Sequence, residues 1–242
     1  MLEPINHQHS MFANQTVEWF TSDSLERFND NLAIPKNKAI IERNDWIDKK
    51  IEYTFNSHGF RADEFEENAN SILFLGCSFT LGTGITYEHT WPYIVSQHFG
   101  LKNYNLGISG GSNDSAFRLG NHYIPNLKPS IVIFAGTGFD RLDVIDDEVV
   151  TLRYNWIPEH LDSEYYKNWV TYKENGELNW KKNQLAIKYI CQQHSIPYIY
   201  LSLINLITWP LSDNGRDIIH PGIGINSYIA EKVIEDVKAH IQ

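Results

Sequence analysis

Two short stretches of this chain are apolar without a break: Ile72-Leu73-Phe74-Leu75 and Ile131-Val132-Ile133-Phe134-Ala135. Runs of that length suit strands of a sheet covered on both faces. Lys102 to Leu106 reads as a weaker strand and Pro197 to Ile204 as another. Between them lie helical patterns. His89 to Phe99 places Trp91, Ile94, Val95 and Phe99 on one side, Ser112 to Leu127 reads as helical, and so does Asn183 to His194. The last helix repeats an apolar residue every four positions at Ile225, Ile229, Val233, Val237 and Ile241. Alternating strands and helices predict an α/β fold with a parallel, doubly wound sheet, right-handed crossovers and helices on both faces. In such sheets ligands bind at the carboxyl ends of the strands. The loops after residues 75, 106 and 135 all fall there.

Residues 1–68 have a different texture. Thr21 to Phe28 reads as a capped helical turn, and Ile51 to Phe55 alternates as a half-buried strand does, before a turn at Asn56 to Arg61. The region is too short and polar to hold a core alone, so it is expected to pack as an extension on a main domain spanning 69–242. The segment at about 145–180 is less regular and rich in Tyr and Trp, and is expected to be an insertion beside the same rim.

Composition narrows the function classes. With 242 residues, 42% hydrophobic, the chain is long enough for one α/β domain with a substantial core. A net charge of −10, with acidic and basic residues interleaved, offers no broad basic field for nucleic acid or an anionic membrane surface. No stretch approaches the roughly 20 apolar residues of a membrane span. The start, Met1 to His7, lacks the basic-then-apolar order of a secretory signal, which points to a cytoplasmic chain. Two cysteines, Cys77 and Cys191, do not form a disulfide framework and read as buried or semi-buried thiols.

Three segments carry candidate chemistry. Gly76-Cys77-Ser78-Phe79-Thr80 follows the first apolar strand. It reads either as a tight strand-to-helix connection or as a nucleophile whose hydroxyl sits beside free N–H groups of a helix start. Asp217-Ile218-Ile219-His220-Pro221-Gly222 precedes the last helix. It reads either as a surface turn with His220 capping that helix, or as a carboxylate folding back on the imidazole Nδ1 and leaving Nε2 free for a serine. Asn105-Leu106-Gly107-Ile108-Ser109-Gly110-Gly111-Ser112-Asn113 is glycine-rich but lacks the Lys-Ser/Thr of a phosphate loop, so a backbone N–H offered to an oxyanion suits it better.

In order and placement these segments resemble the SGNH hydrolases, also called the GDSL esterase/lipase family, over about residues 70–242. Ser78 in Gly-Cys-Ser-Phe-Thr matches the block that carries the nucleophile, and Gly110 in Asn-x-Gly-x-x-Gly matches the oxyanion glycine. Asp217 and His220 match Asp-x-x-His, and Ala135-Gly136-Thr137-Gly138 falls where Gly-x-Asn-Asp is expected. The resemblance implies a flavodoxin-like three-layer α/β/α fold and a Ser78–His220–Asp217 triad with no metal or organic cofactor. It also implies an oxyanion hole built from the N–H groups of Ser78 and Gly110. Two positions depart from the pattern. Cys77 stands in place of an Asp outside the triad, and Gly138 stands in place of the oxyanion Asn. That second change leaves Thr137, Asn113 or Arg141 to stand in, and an arginine there is also a candidate for binding an anionic substrate.

The remaining features have plainer readings. His7 and His9 form a His-x-His pair at a terminus expected to be mobile, without a third metal ligand. Asp143, Asp146, Asp147 and Glu148 lack the spacing and glycine of a calcium loop and read as a solvated acidic turn. Trp156, Tyr165, Tyr166, Trp169, Tyr172 and Trp180 read as packing residues or as a platform for sugar rings.

The expected function is hydrolysis of a short acyl ester, most plausibly acetyl, on a small molecule or a carbohydrate. The alternatives are a lysophospholipase or thioesterase using the same residues, an inactive glycan-binding module, or a nucleophile at Cys77.

Overall fold

The computed structural model describes residues 7, 9–145, 149–153, 163–203 and 213–241. At its centre are four parallel strands in the order β4 (Lys102–Gly107), β3 (Ser71–Gly76), β5 (Ile131–Gly136), β8 (Tyr198–Ser202). β3 and β5 are buried at every position, as their unbroken apolar runs predict. Alternate residues serve opposite layers. Leu73 and Leu75 join Leu106, Val132 and Phe134 under helices α5 (Asn113–Leu127) and α7 (Lys173–Gln193). Ile72 and Phe74 join Ile131, Ile133, Ile199 and Leu201 under α4 (Trp91–Phe99) and α8 (Ile223–Ile241). The result is a three-layer α/β/α sandwich with a doubly wound sheet. The strand order reverses at β3, so the crevice that hosts ligands in such folds lies beside the end of that strand.

The N-terminal residues build a third apolar cluster from Phe20, Ile41, Trp46, Ile51, Tyr53 and Phe55, closed by Leu81 and Ile85 of the main sheet's first crossover. Helices α1 (Leu25–Ala33) and α2 (Pro35–Arg43) frame it. The Ser24 hydroxyl accepts the Arg27 N–H at the start of α1, as the capped turn predicts. The strand expected over Ile51–Phe55 shortens to β2 (Tyr53–Thr54), which pairs with β1 (Thr16–Val17).

The segment after β5 is more regular than its sequence suggests. Arg141–Ile145 (β6) and Val149–Arg153 (β7) pair as an antiparallel hairpin, and α6 (Ser163–Thr171) leads into α7. Helix α7 starts at Lys173, ten residues before the helix expected from Asn183. Its missed first turns turn Asn179 inward rather than an apolar residue, and both Asn179 and Asn183 donate to the Asp114 carboxylate. Apolar periodicity cannot register a buried face that is polar.

Among the described residues, no helix is long and apolar enough to cross a membrane.

Candidate active site

Ser78 opens α3 (Ser78–Leu81), a single turn that leaves β3 directly, so its backbone N–H lacks an intrahelical acceptor. Two neighbours fix that turn. The Asn105 side chain donates to the Thr80 carbonyl at 2.7 Å while its Oδ1 accepts the Gly107 N–H at 2.9 Å, tying the end of β4 to α3. Gly107 permits the approach: a Cβ there would lie 2.5 Å from the Leu81 nitrogen. Arg61, wholly buried, donates to the carbonyls of Gly82 (2.7 Å), Ile85 (3.0 Å) and Glu52 (3.0 Å) and lies over the Tyr53 ring. It pins the loop that follows the serine to the N-terminal cluster.

At the far end of the chain, Asp213 to Gly222 folds on itself. Gly215 donates to the His220 carbonyl at 2.8 Å and Gly222 to the Asp213 carbonyl at 2.9 Å. The Asp213 carboxylate, rather than His220, accepts the N–H groups at the start of α8. The imidazole is therefore left to other partners. His220 Nδ1 lies 2.6 Å from Asp217 Oδ2 and Nε2 lies 2.8 Å from Ser78 Oγ. All three residues are nearly shut away from solvent, at 5% exposure for Ser78, 7% for His220 and 2% for Asp217. With the carboxylate accepting at Nδ1, the proton sits there and Nε2 is the acceptor for the serine hydroxyl. The edge of the Phe79 ring packs on the imidazole.

Burial pushes the Asp217 carboxyl upward, but His220, Ser22 and the His220 backbone N–H together hold it below the usual carboxylate range. Asp217 Oδ1 accepts the N–H groups of Ile219 (3.1 Å) and His220 (3.0 Å). Ser22, from the N-terminal region, donates to Oδ2 at 2.7 Å. Sequence reading did not find Ser22: it is one polar residue in a turn nearly two hundred positions away, and no local pattern marks it. Asn31 adds a bond from its side chain to the Asp217 carbonyl at 3.3 Å.

The oxyanion candidates divide. Gly110 has φ +71°, the left-handed value its turn needs, and Gly111 donates to the Ile108 carbonyl across that turn. The loop leaves β4 next to the serine loop, since Gly76 pairs with Gly107 and the Ile108 N–H donates to the Gly76 carbonyl. The Asn113 side chain engages the Thr137 backbone instead. Asn113 Oδ1 accepts the Thr137 N–H at 3.0 Å, and its amide donates to the Thr137 carbonyl at 3.4 Å. Arg141 donates to the Gly111 carbonyl at 2.9 Å, where it braces the glycine loop from behind.

Two plainer expectations change. Asp143 is not a solvated turn residue: its carboxylate accepts from Ser112 (2.6 Å), Ser115 (2.8 Å), Thr151 (2.8 Å) and Arg118 (3.0 Å). Asp146, Asp147 and Glu148 lie outside the described residues. Trp180 packs on the sheet, its indole N–H donating to Tyr200 at 2.7 Å, whereas Tyr172 is exposed and Trp156 lies outside the described residues.

His7 and His9 are buried, not mobile. His9 Nε2 accepts the Ser109 N–H of the glycine loop, and His7 Nε2 donates to the His58 carbonyl. Burial lowers the imidazoles from 6.5 to about 4 for His7 and about 3 for His9. A histidine held neutral by folding contributes stability above its unfolded value that is lost as pH falls toward the folded one; the depressed Asp217 carboxyl acts in the same sense at lower pH. The melting temperature should therefore fall as pH drops from about 6.5 toward 4. His9→Gln should make that fall shallower, and an identical slope in the variant would contradict the assignment.

No family model and no curated protein matches the sequence. Among solved structures, the chain is similar to an esterase, EstA, from Pseudoalteromonas sp. (14% identity, TM-score 0.39, covering 70% of this chain and 97% of that one). It is similar as well to a lipase/acylhydrolase from Enterococcus faecalis (13%, 0.39, 70% and 96%). A member of the lipolytic G-D-S-L family from Veillonella parvula DSM 2008 is a third (15%, 0.35, 69% and 97%). The strand order and the layers, rather than these overlaps, carry the fold class.

Proposed function

We propose that this chain is a serine ester hydrolase of the GDSL/SGNH kind, acting on a short acyl ester such as an acetyl group on a small alcohol or a carbohydrate. The observation that carries the reading is the relay from Ser78 Oγ to His220 Nε2 (2.8 Å) and from His220 Nδ1 to Asp217 (2.6 Å). His220 takes the proton as Ser78 attacks the ester carbonyl, and the imidazolium that forms faces Asp217. The N–H groups of Ser78 and Gly110 receive the oxyanion. His220 then returns the proton to the leaving alcohol, and water repeats the sequence on the acyl-enzyme. Every group these steps need belongs to the chain.

A recessed hydroxyl favours a small acyl group. A series of p-nitrophenyl esters from acetate to decanoate tests this: kcat/KM should be highest at two to four carbons, and a maximum at eight or more supports the lysophospholipase or thioesterase reading instead. One observation favours a binding module. The Asn113 side chain, one candidate stand-in for the absent asparagine, is engaged by the Thr137 backbone, so that donor is drawn away from the oxyanion site. Losing one such donor costs about 2.7–4 kcal/mol of transition-state stabilisation where it has been tested, which slows an esterase without removing its chemistry.

A further inference from the structure

Phe20 and Asp23 close a two-residue turn, exchanging backbone bonds of 2.8 and 3.1 Å around Thr21 and Ser22. This turn meets the Asp217 loop residue for residue. Ser22 donates to the Asp217 carboxylate at 2.7 Å, and Asp23 pairs with Arg216 through bonds of 2.9 and 2.8 Å. Both sides hold a β-branched residue in the left-handed region beside the contact, Thr21 at φ +54° and Ile218 at φ +61°. Such conformations are costly for β-branched residues and persist only where the surroundings impose them. The Asp23–Arg216 pair is wholly buried and braced by Tyr53, whose hydroxyl donates to Asp23 at 2.6 Å, and by the Trp19 ring 3.7 Å from the guanidinium. That pair is enough to dock the turn. Ser22 is only partly buried, so water can satisfy its hydroxyl, and burial does not force its aim at Asp217.

Resting on the hydrolase reading above, we propose that Ser22 is a positioning residue for the triad. Its hydroxyl holds the Asp217 carboxylate in the orientation His220 requires. The physical reason is geometry. A donor on Oδ2 holds that oxygen against rotation and keeps it 2.6 Å from His220 Nδ1, and the same hydroxyl lies 3.5 Å from Nδ1 itself.

The test compares Ser22→Ala and Ser22→Thr with the wild-type chain in two readouts: p-nitrophenyl acetate kinetics, and the His220 Nδ1 proton resonance followed by NMR. Ser22→Ala should lower kcat about tenfold, within the roughly hundredfold that a 1 Å misplacement can cost, with KM changed less than about twofold. It should also shift or broaden the His220 Nδ1 proton resonance, because the bond to Asp217 is no longer held in place. Ser22→Thr should restore both. Should Ser22→Ala not fold, Ser22→Cys, with its much weaker donor, takes its place. Wild-type kcat with an unmoved His220 Nδ1 resonance overturns the proposal, and so does a loss that threonine fails to recover. A wild-type chain without esterase activity instead sinks the hydrolase reading, while the NMR resonance still reports whether Ser22 acts on the Asp217–His220 pair.

Discussion

Ser78→Ala is expected to abolish ester hydrolysis, lowering kcat by roughly 10⁶-fold, while the protein keeps its fold. The size follows from the role proposed for the hydroxyl. Without Oγ there is no nucleophile for His220 to activate and no acyl-enzyme, and the rate left over comes from binding and the oxyanion donors. The fold should survive because the Ser78 side chain bonds to His220 and not to the strand or helix it joins. The turn at α3 is held by Asn105, Gly107 and Arg61, which the substitution does not touch. Steady-state kinetics beside a thermal melt separates the two effects. A melting temperature within a degree or two of wild type with activity gone fits the account, and activity within tenfold of wild type refutes it.

Asp23→Ala should cause the largest loss of stability, about 3–5 kcal/mol, because it strands a buried guanidinium. Arg216 is buried and its remaining partners are the Glu18 carbonyl and the Trp19 ring, neither of which carries a balancing charge. The Tyr53 hydroxyl loses its acceptor in the same step. For a chain of this length the melting temperature should drop by about 10 °C. Replacing both partners, as Asp23→Leu with Arg216→Met, should recover much of that loss, since the unpaired charge is then gone. Activity should not recover with it, because the turn that carries Ser22 is no longer clamped to the Asp217 loop. If the double variant is no more stable than Asp23→Ala, the pair is not what holds this junction.

Most of the architecture was legible in the sequence because it rests on apolar periodicity. The runs at Ile72–Leu75 and Ile131–Ala135 and the four-residue repeat from Ile225 to Ile241 answer to one requirement, a sheet covered on both sides. The meeting of Ser78, His220 and Asp217 was anticipated from short motifs at strand and helix ends. What escaped was polar and distant. The first turns of α7 bury asparagines against Asp114, and Asp143 is satisfied by four side chains from α5 and β7. The N-terminal residues carry no catalytic motif, yet Ser22 reaches Asp217 and His9 reaches the glycine loop. Side-chain hydrogen bonds across such separations leave no periodic trace, and only the folded chain brings them together.

The claim beneath all of this is that the imidazole at position 220 makes the hydroxyl at position 78 a nucleophile. Intact-mass spectrometry after incubation with a fluorophosphonate measures that most directly. One adduct per chain, mapped to Ser78 and lost in both Ser78→Ala and His220→Ala, is the predicted result. A folded wild-type chain that takes up no adduct at millimolar probe, or takes it up at Cys77, would contradict it.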